Sequence, residues 1–440
     1  MNTLHYGLTP KMKPISPHRS AVVAALDIGS SKVACLIGRL RPQGPQQVLT
    51  RRSHTVEVVG FGHTGARGMK AGTVVDLVEA EEAVRHAIDA AERSARRQIE
   101  SAIVSVSAGR LASELYAASV EIGGPTVTDS DIARVLAAGC RQSARPGRVV
   151  LHSMPIGFAL DDARGVLDPR GMLARRFGVD MHVVMADAAA VRNLMLTIER
   201  CHLTVEAMAA SPYVAGLSAL ADDEADHGAA VIDMGAGTTT MAVFSSGRFI
   251  HADGFALGGF HVTMDLARGL STSVYDAERI KTLYGSVLAG GLDERDMITV
   301  PTVGVDERDP PQFVSRATLT RIIKPRVEEI LEMVRDRLAA SPFAAEPRAR
   351  VVLTGGASQL TGLPELAARL LGRPVRIGRP LGIGGLPDDA KGAAFAAAAG
   401  LLVYPQAAHL EQFEPRRTRH YTTGTGGYIA RVGRWLRESF

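Results

Sequence analysis

One short pattern occurs twice in this chain, and it constrains the fold more than any other feature. Residues 21–39 read AVVAALDIGSSKVACLIGR, and residues 229–244 read AAVIDMGAGTTTMAVF. Aligning Asp27 with Asp233 also aligns the glycine that follows two residues later. Each copy is an apolar strand that leads into Asp-x-Gly, a tight turn of small residues and a second apolar strand. One copy in each half of the chain predicts two related domains that close on a single ligand.

The residue types at the two turns suit a bound phosphate. Backbone N–H groups and hydroxyls converge at a hairpin tip, and glycine lets the ligand come close. The aspartate before each turn can hold a hydrated Mg²⁺ beside the phosphates. One such hairpin alone is as readily a plain turn, but the pair favours a nucleotide. The two predicted tips are Gly29, Ser30, Ser31 and Lys32, and Gly235, Ala236, Gly237, Thr238 and Thr239, with Asp27 and Asp233 near the metal.

A third glycine turn follows an apolar strand late in the chain. Residues 350–364 read RVVLTGGASQLTGLP, and the turn itself is Gly355, Gly356 and Ala357. A Gly-Gly turn at a strand end lets the backbone approach a flat ligand such as adenine or ribose. The three turns together indicate a nucleotide site built from both halves of the chain.

The charge of the chain is concentrated at its two ends. The formal net charge is +4, and residues 1–20 and 411–440 each contribute +3, so the body between them carries −2. A nearly neutral body with basic ends argues against nucleic-acid binding and favours an electrostatic contact made by a terminal segment. The three cysteines lie far apart, as in reduced cytosolic proteins.

The sequence predicts a cytoplasmic protein without a signal peptide. The first apolar stretch is interrupted at Asp27, and no small-residue cleavage site follows it. The longest apolar run, residues 393–404, is shorter than the roughly 20 residues that a membrane-spanning helix requires. We interpret this run as a buried helix.

Residues 428–440 predict an amphipathic helix that lies on a membrane surface. At about 100° per residue, its apolar side chains fall within an arc of roughly 140°. Such a helix buries one face in the interface and turns its arginines toward anionic lipid. The alternative is a helix docked on its own protein, which the polar segment before it disfavours. The residues concerned are Tyr428, Ile429, Val432, Trp435, Leu436 and Phe440 on the apolar side, and Arg431, Arg434, Arg437 and Glu438 on the other.

The arrangement of two hairpins followed by a late Gly-Gly turn resembles that of the actin-like ATPase superfamily. The segments RGMKAGTVVDL, IERCHLTVEAMAASPYVA, YDAERIKTLYG and GYIARVGRWLRESF narrow the resemblance to the FtsA family of bacterial cell-division proteins. The resemblance implies an α/β, actin-like two-domain fold around a nucleotide cleft, with inserted small subdomains and a C-terminal amphipathic helix. In YDAERIKTLYG, Glu278 and Lys281 share one helix face. Spacing alone favours a solvated pair, whereas the family places these positions beside ribose and adenine.

The resemblance also divides the chain. The expected parts are a disordered N-terminal extension at 1–20, domain I at 21–100 and 181–210, an inserted subdomain at 101–180, domain II at 211–270 and 346–404, a second inserted subdomain at 271–345, a flexible linker at 405–427 and the membrane helix at 428–440.

The function implied by the resemblance is that of a cell-division adaptor. It would bind ATP and Mg²⁺, assemble into actin-like filaments, and tether the tubulin-like protein FtsZ to the cytoplasmic face of the inner membrane at the septum. It would also meet later division proteins. In the family the second inserted subdomain receives the C-terminal tail of FtsZ. Within the helical pattern at 318–338, interrupted by Pro325, the candidates by position are Arg321, Lys324, Arg326 and Glu328, although the pattern alone favours a solvated charged face.

The sequence predicts at most weak ATP hydrolysis. Active relatives place Gln, Glu or Asp after the strand matching HVVM, to orient the attacking water. Only Asp187 is available there, so ATP is expected to be mainly structural or regulatory. The alternative is an enzyme of the same superfamily, either an Hsp70-like ATPase or a small-molecule kinase. A chaperone of that class would need a large peptide-binding domain after Tyr404, and a kinase would not need a basic amphipathic terminus.

Overall fold

The computed structural model describes residues 9–44, 49, 51–108, 110–141, 145–161, 163–290, 293–303, 312–346 and 349–412. The strands are β1 (Ala21–Ile28), β2 (Lys32–Pro42), β3 (His54–Gly65), β4 (Met69–Lys70), β5 (Thr73–Val74), β6 (Ser101–Val106), β7 (Ala112–Glu121), β8 (Arg148–Leu160), β9 (Ala163–Val166), β10 (Arg176–Asp187), β11 (Thr204–Ala210), β12 (Ala229–Met234), β13 (Thr239–Ser245), β14 (Arg248–Phe255), β15 (Met297–Val300), β16 (Gln312–Ser315), β17 (Arg350–Thr354), β18 (Val375–Ile377) and β19 (Ile383–Gly384). The helices are α1 (Leu77–Ala95), α2 (Asp129–Arg141), α3 (Ala188–Arg200), α4 (Ser211–Ala219), α5 (Asp222–His227), α6 (Gly259–Gly269), α7 (Val274–Tyr284), α8 (Arg316–Ala339), α9 (Leu363–Leu371) and α10 (Ala396–Ala407).

The two halves of the molecule repeat one strand plan, as the duplicated sequence predicts. β1, β2 and β3 form an antiparallel meander, and β6 lies parallel to β1. β12, β13 and β14 form the same meander, and β17 lies parallel to β12. The first strands are buried almost throughout because both faces are covered. The repeat therefore places Asp27 and Asp233 at equivalent strand ends.

Two large sheets contain these meanders. The six-stranded sheet has the order β11-β6-β1-β2-β3-β19, and the nine-stranded sheet has the order β18-β17-β12-β13-β14-β7-β10-β8-β9. The last four strands of the second sheet, with α2, surround their own small core, which includes Val135, Phe177 and Met181. They join the rest of the sheet through the pairing of Ala112 with Asp253.

The boundaries of this inserted part differ from those predicted. β6 lies between β1 and β11, so residues 101–106 belong with domain I and not with the insertion. Four of their six side chains are apolar, and all but Ser101 are buried, which suits an inner parallel strand. At the other end, β10 pairs with β7 and β8 as far as Asp187. Residues 181–187, predicted to resume domain I, therefore belong to the sheet of the insertion.

Helix α10 is a core helix, as predicted for the alanine-rich run. Its residues from Ala396 to Gln406 are all buried, and a Cβ on Gly400 would lie 1.7 Å from the carbonyl oxygen of Val214 on α4. Within the described part of the chain, the stretch 393–410 is long and apolar enough to cross a membrane by length and composition, and 72% of it is buried. Such burial is typical of a helix that packs inside a globular protein.

Residues 9–20, predicted to be disordered, lie against the body of the molecule. Thr9 is fully buried, and its backbone N–H and hydroxyl both donate to the carbonyl oxygen of Val150. Lys11 lies 3.9 Å from the carboxylate of Glu411, and Ile15 packs on the main core. These contacts join segments far apart in sequence, which is why local composition gave no sign of them. Residues 1–8 lie outside the described part.

Two further expectations change in the second half. α8 is continuous from Arg316 to Ala339 with Pro325 inside it, so the predicted interruption is wrong. A proline inside a helix costs about 3 kcal/mol, and each buried Leu, Ile or Val contributes about 1.5–3 kcal/mol. α8 buries eight residues on both sides of the proline, which offsets that cost. The predicted linker also begins too early, because 405–412 form the end of α10 and a short turn.

Candidate functional site

A cavity of about 530 Å³ lies between the two hairpin tips, within the size range of small-molecule sites. Its walls come from the β1–β2 turn, the β12–β13 turn, the first turn of α6, the inner face of α7 and the turn after β17. Each half of the molecule thus contributes backbone and side-chain donors to one cleft.

The two hairpin turns have the same local geometry. The N–H of Gly29 donates to the carbonyl oxygen of Lys32 at 2.9 Å, and the N–H of Gly235 donates to that of Thr238 at 2.9 Å. A Cβ on Gly237 would lie 2.6 Å from the Ser30 hydroxyl oxygen. The tips therefore touch across the cleft, and glycine is required where they meet.

The charged groups of the cleft are Lys32 and the two strand-end aspartates. Lys32 Nζ donates to the carbonyl oxygen of Ala394 and lies 3.4 Å from the centre of the Phe395 ring. Burial lowers the pKa of Lys32, while Asp27 and Asp233 oppose that shift. Burial and the nearby Asp27 raise the pKa of Asp233 to about 7, although Lys32 acts against them. A cation between these carboxylates would favour their ionised form.

The first turn of α6 and the middle of α7 form the opposite wall. Lys281 Nζ donates to Glu278 Oε2 at 2.7 Å, to Thr263 Oγ1 at 2.8 Å and to the carbonyl oxygen of Gly259 at 3.1 Å. Lys281 and Glu278 both line the cavity. Lys281 is thus held on the cleft wall, whereas Glu278 stays half exposed, as the solvated pair that spacing alone favours would be.

The turn after β17 requires glycine at its first position. Gly355 has φ +83°, and a Cβ there would lie 2.4 Å from the carbonyl oxygen of Met234. A Cβ on Gly356 would meet no atom within 4 Å. The backbone at Gly355 thus packs against the end of β12, and Gly356 faces the cavity.

The structure brings the predicted nucleotide residues together with one exception. Thr239 does not line the cavity, because it is fully buried and its hydroxyl donates to the carbonyl oxygen of Leu257 at 2.8 Å. The predicted residues that do line it are Asp27, Gly29, Ser30, Ser31, Lys32, Asp233, Gly235, Ala236, Gly237, Thr238, Glu278, Lys281, Gly355, Gly356 and Ala357.

Sequence reasoning missed other residues of the cleft. Gly259 opens α6, and its N–H donates to the carbonyl oxygen of Gly235 at 2.9 Å. A Cβ on Gly258 would lie 2.4 Å from the same oxygen. The sequence signal that could have identified this turn is the Gly258–Gly259 pair at the start of a helix, followed by Thr263 four residues after Gly259. Ser107 also lines the cavity, but nothing in its local sequence marks it.

Asp187, the only candidate for orienting water, is placed elsewhere. It precedes α3 and accepts hydrogen bonds from the N–H groups of Ala189 at 2.9 Å and Ala190 at 3.1 Å. It is not among the residues that line the cavity. Its carboxylate is thus occupied as a helix cap. Within the described residues, no group of three or more His, Cys, Asp or Glu side chains is placed to hold a metal ion.

The candidate partner residues lie on α8. Arg326 contacts Asp265 on α6 at 2.7 Å and also pairs with Glu329, while Lys324 lies 3.6 Å from Glu328. Arg321 is exposed and donates to the Thr318 hydroxyl at 3.0 Å. Arg321 is thus the most accessible cation of the four candidates. The predicted membrane residues, from Tyr428 to Phe440, lie outside the described residues.

Two α/β halves with one repeated hairpin plan, closing on a cleft of glycine and hydroxyl groups, define an actin-like fold. Solved structures of low identity share it. The chain resembles one from a PilM–PilN type IV pilus biogenesis complex (TM-score 0.60, 17% identity, 87% of this chain and 98% of that one). It also resembles MreB5 of Spiroplasma citri bound to ADP (TM-score 0.53, 14% identity, 89% of this chain and 98% of that one).

Sequence comparison then gives the family. The chain is 54% identical to the cell division protein FtsA of Agrobacterium fabrum over 437 residues, covering 99% of this chain and 98% of that protein. It is 32% identical to the Escherichia coli K12 protein of the same name, over 95% of this chain and 98% of that one. Family models for cell division protein FtsA and for the SHS2 domain inserted in FtsA match residues 230–400 and 108–185. This chain belongs to the FtsA family of cell-division proteins.

Proposed function

We propose that this protein binds ATP with Mg²⁺ in the cleft and acts as a membrane-attached adaptor for FtsZ at the division septum. The observation that carries the nucleotide part is the meeting of the two hairpin tips, where Gly237 lies against Ser30. Two N–H-rich tips at one point suit a chain of phosphates. The similar MreB5 structure is bound to ADP, which agrees with assigning this cleft to a nucleotide.

The donor set fits a magnesium ion that keeps most of its own water. Asp27 accepts from the Ser105 hydroxyl at 2.5 Å, and Asp233 lies on the equivalent strand of the other half. Mg²⁺ commonly takes one or two carboxylates and completes its shell with water and phosphate oxygens. The ion would supply positive charge that neutralises the phosphates; Asp27 and Asp233 would hold it through its water shell, and Lys32 would supply a further positive charge in the cleft.

Hydrolysis in this cleft is proposed to be slow. The carboxylate of Asp187 caps α3 through Oδ1 and does not line the cavity, so it is not placed to orient a water molecule on the nucleotide. ATP would then stabilise one closed arrangement of the two halves. That arrangement would support assembly into actin-like filaments.

The proposed adaptor role needs two further binding surfaces, one for FtsZ and one for the membrane. α8 would receive the C-terminal tail of FtsZ, with Arg321, Lys324, Arg326 and Glu328 as candidate contacts. The sequence-predicted helix 428–440 would bind anionic lipid on the cytoplasmic face of the inner membrane, and filament formation would multiply its modest affinity through avidity. Later division proteins would meet the same filaments.

Nucleotide binding is tested by titrating the purified protein with MgATP in a calorimeter. Asp233→Ala is expected to abolish or strongly weaken binding, because it removes one of the two carboxylates near the metal. The control is Asp180→Ala, which changes an aspartate in the insertion. Wild-type affinity in Asp233→Ala would contradict the cleft assignment.

The rate of steady-state ATP turnover is a second test. It should stay slow with added metabolites, and fast metabolite-dependent turnover would favour a superfamily enzyme instead.

A further inference from the structure

A second cavity lies away from the nucleotide cleft. It has a volume of about 580 Å³, and its walls are β8, α4, α5, the β13–β14 turn and the end of α10. Most of the lining is apolar, including Leu217 on α4, Leu220 directly after that helix, and Phe244 and Phe249 on the second sheet. Leu410, at its edge, is 49% exposed. The cavity is large enough for a few apolar side chains.

One buried polar group in this cavity has no partner. Gln406 is 8% exposed and lines the cavity. Its Oε1 accepts from the N–H of His54 at 2.9 Å, which fixes the orientation of the amide. Its Nε2 has no hydrogen-bond partner among the described residues, and a buried donor left unpaired is costly. The last turn of a docked helix would bring free carbonyl oxygens to this donor, whereas a hydrocarbon chain would bring none.

The described chain ends at the edge of the same cavity. Gln412 lines it, and its N–H donates to the carbonyl oxygen of Ser153 at 2.8 Å. Residues 413–427 separate this point from the predicted amphipathic helix. A flexible linker of that length has an end-to-end distance of about 21 Å. Such a linker would hold the predicted helix near the cavity at an effective concentration of about millimolar.

The apolar lining of the cavity matches one face of the predicted helix. The charged residues of the lining are of both signs, with Asp222 on α5 and Arg51, Arg52 and Arg248. The predicted helix presents Arg431, Arg434 and Arg437 on one side and its apolar residues on the other. With Trp435 and Leu436 in the cavity, those arginines would lie toward the solvent.

From these observations we infer that residues 428–440 dock into this cavity when no membrane is present. The docked and membrane-bound states exclude each other, because both bury the same apolar face. The cavity is thus a storage site for the helix, and anionic lipid releases it. This inference rests on the predicted helix and not on nucleotide binding.

The only tryptophan of the chain, Trp435, reports on docking in the full-length, lipid-free protein. Its emission should lie to the blue of that of a free peptide 428–440, and acrylamide should quench it less. Leu217→Lys and Leu410→Lys should shift the emission to the red and restore quenching. The matched control is Leu196→Lys, because Leu196 is 44% exposed but does not line the cavity. Leu410 is 49% exposed, so Leu410→Lys stays informative if Leu217→Lys does not fold.

Vesicle binding supplies the second measurement. If the helix is docked four-fifths of the time, the variants should bind phosphatidylglycerol–phosphatidylcholine vesicles about fivefold more tightly than the wild type. Equal quenching of Trp435 in wild type and variants would overturn the inference. A blue shift that disappears on dilution would also overturn it, because it would indicate docking between copies. If Trp435 responds to the variants but no protein binds vesicles, the docking stands, whereas release by lipid and the proposed membrane attachment both fail.

Discussion

His182 lies on β10 with no exposed surface, and it should make the stability of the protein depend on pH. Its ring Nδ1 lies 2.9 Å from the carbonyl oxygen of Phe249, and its Nε2 has no partner among the described residues. Burial, together with His251, lowers the pKa of His182 to about 3. Between pH 6.5 and 3 the unfolded chain therefore binds a proton that the folded protein does not. The free energy of unfolding should fall by about 1.4 kcal/mol per pH unit below 6.5 from this group.

Denaturant unfolding at pH 7.5 and pH 5 measures this contribution. His182→Asn keeps a donor for the Phe249 carbonyl and removes the titrating ring, so the difference in unfolding free energy between the two pH values should shrink by about 2 kcal/mol. His86 is exposed, and His86→Gln is the control that should leave the difference unchanged. An unchanged difference in His182→Asn would show that this ring is not held neutral.

The two glycines after β17 are expected to have different roles. Gly355 is required by the backbone geometry, and Gly356 by the room that the ligand needs. Gly355→Ala should lower the free energy of unfolding by about 1–3 kcal/mol, because it puts a side chain at positive φ against Met234. Gly356→Ala should leave the melting temperature nearly unchanged, since nothing lies near its Cα, but it should weaken MgATP binding by narrowing the cleft. Thermal melts and calorimetry check the two effects. Full affinity in Gly356→Ala would place the nucleotide elsewhere in the cleft.

At the scale of elements, α8 offers a test of the proposed FtsZ site. Arg321 is exposed, whereas Arg326 is committed to Asp265 and Glu329. Arg321→Glu should therefore weaken binding of an FtsZ tail peptide without disturbing the helix, and more so at low salt than at high salt, since salt screens exposed charges. Fluorescence anisotropy of a labelled peptide measures this.

The control for that experiment lies on the same helix. Arg335 is also exposed, and it is 14 residues further along α8, about 21 Å away. Arg335→Glu has the same effect on net charge and should leave the affinity unchanged. If both substitutions weaken binding equally, the effect is one of overall charge, and α8 is not the docking site.

The sequence predicts elements well where local pattern decides them. The helical spacing over 75–98 corresponds to α1, and the acidic start at Asp129 corresponds to α2. α8 was mispredicted because the penalty of Pro325 is local, whereas the burial that offsets it comes from other elements. The Gly258–Gly259 turn is not predicted because it is not part of the duplicated hairpin. Like the Gly355–Gly356 turn, however, it places two glycines before a helix.

At the scale of the whole molecule, the duplicated hairpin was sufficient to predict a two-part fold around one cleft. It could not place the insertion, because the pairing of Ala112 with Asp253 joins residues 141 positions apart. The duplicated hairpin also gives no sign that Glu411 contacts both Lys11 and His152. These contacts link both ends of the described chain to the insertion. Such long-range pairings depend on tertiary packing, and no local periodicity records them.

The adaptor function also belongs to the whole molecule, because it requires the filament, α8 and the helix at 428–440 in one chain. Flotation of FtsZ with phosphatidylglycerol-containing vesicles tests it most directly. With MgATP and the full-length protein, FtsZ should float with the vesicles, and it should stay in solution when residues 428–440 are deleted, although the truncated protein still binds ATP. If FtsZ floats equally well with the truncated protein, or never floats with the full-length one, the account of this protein as a membrane tether is contradicted.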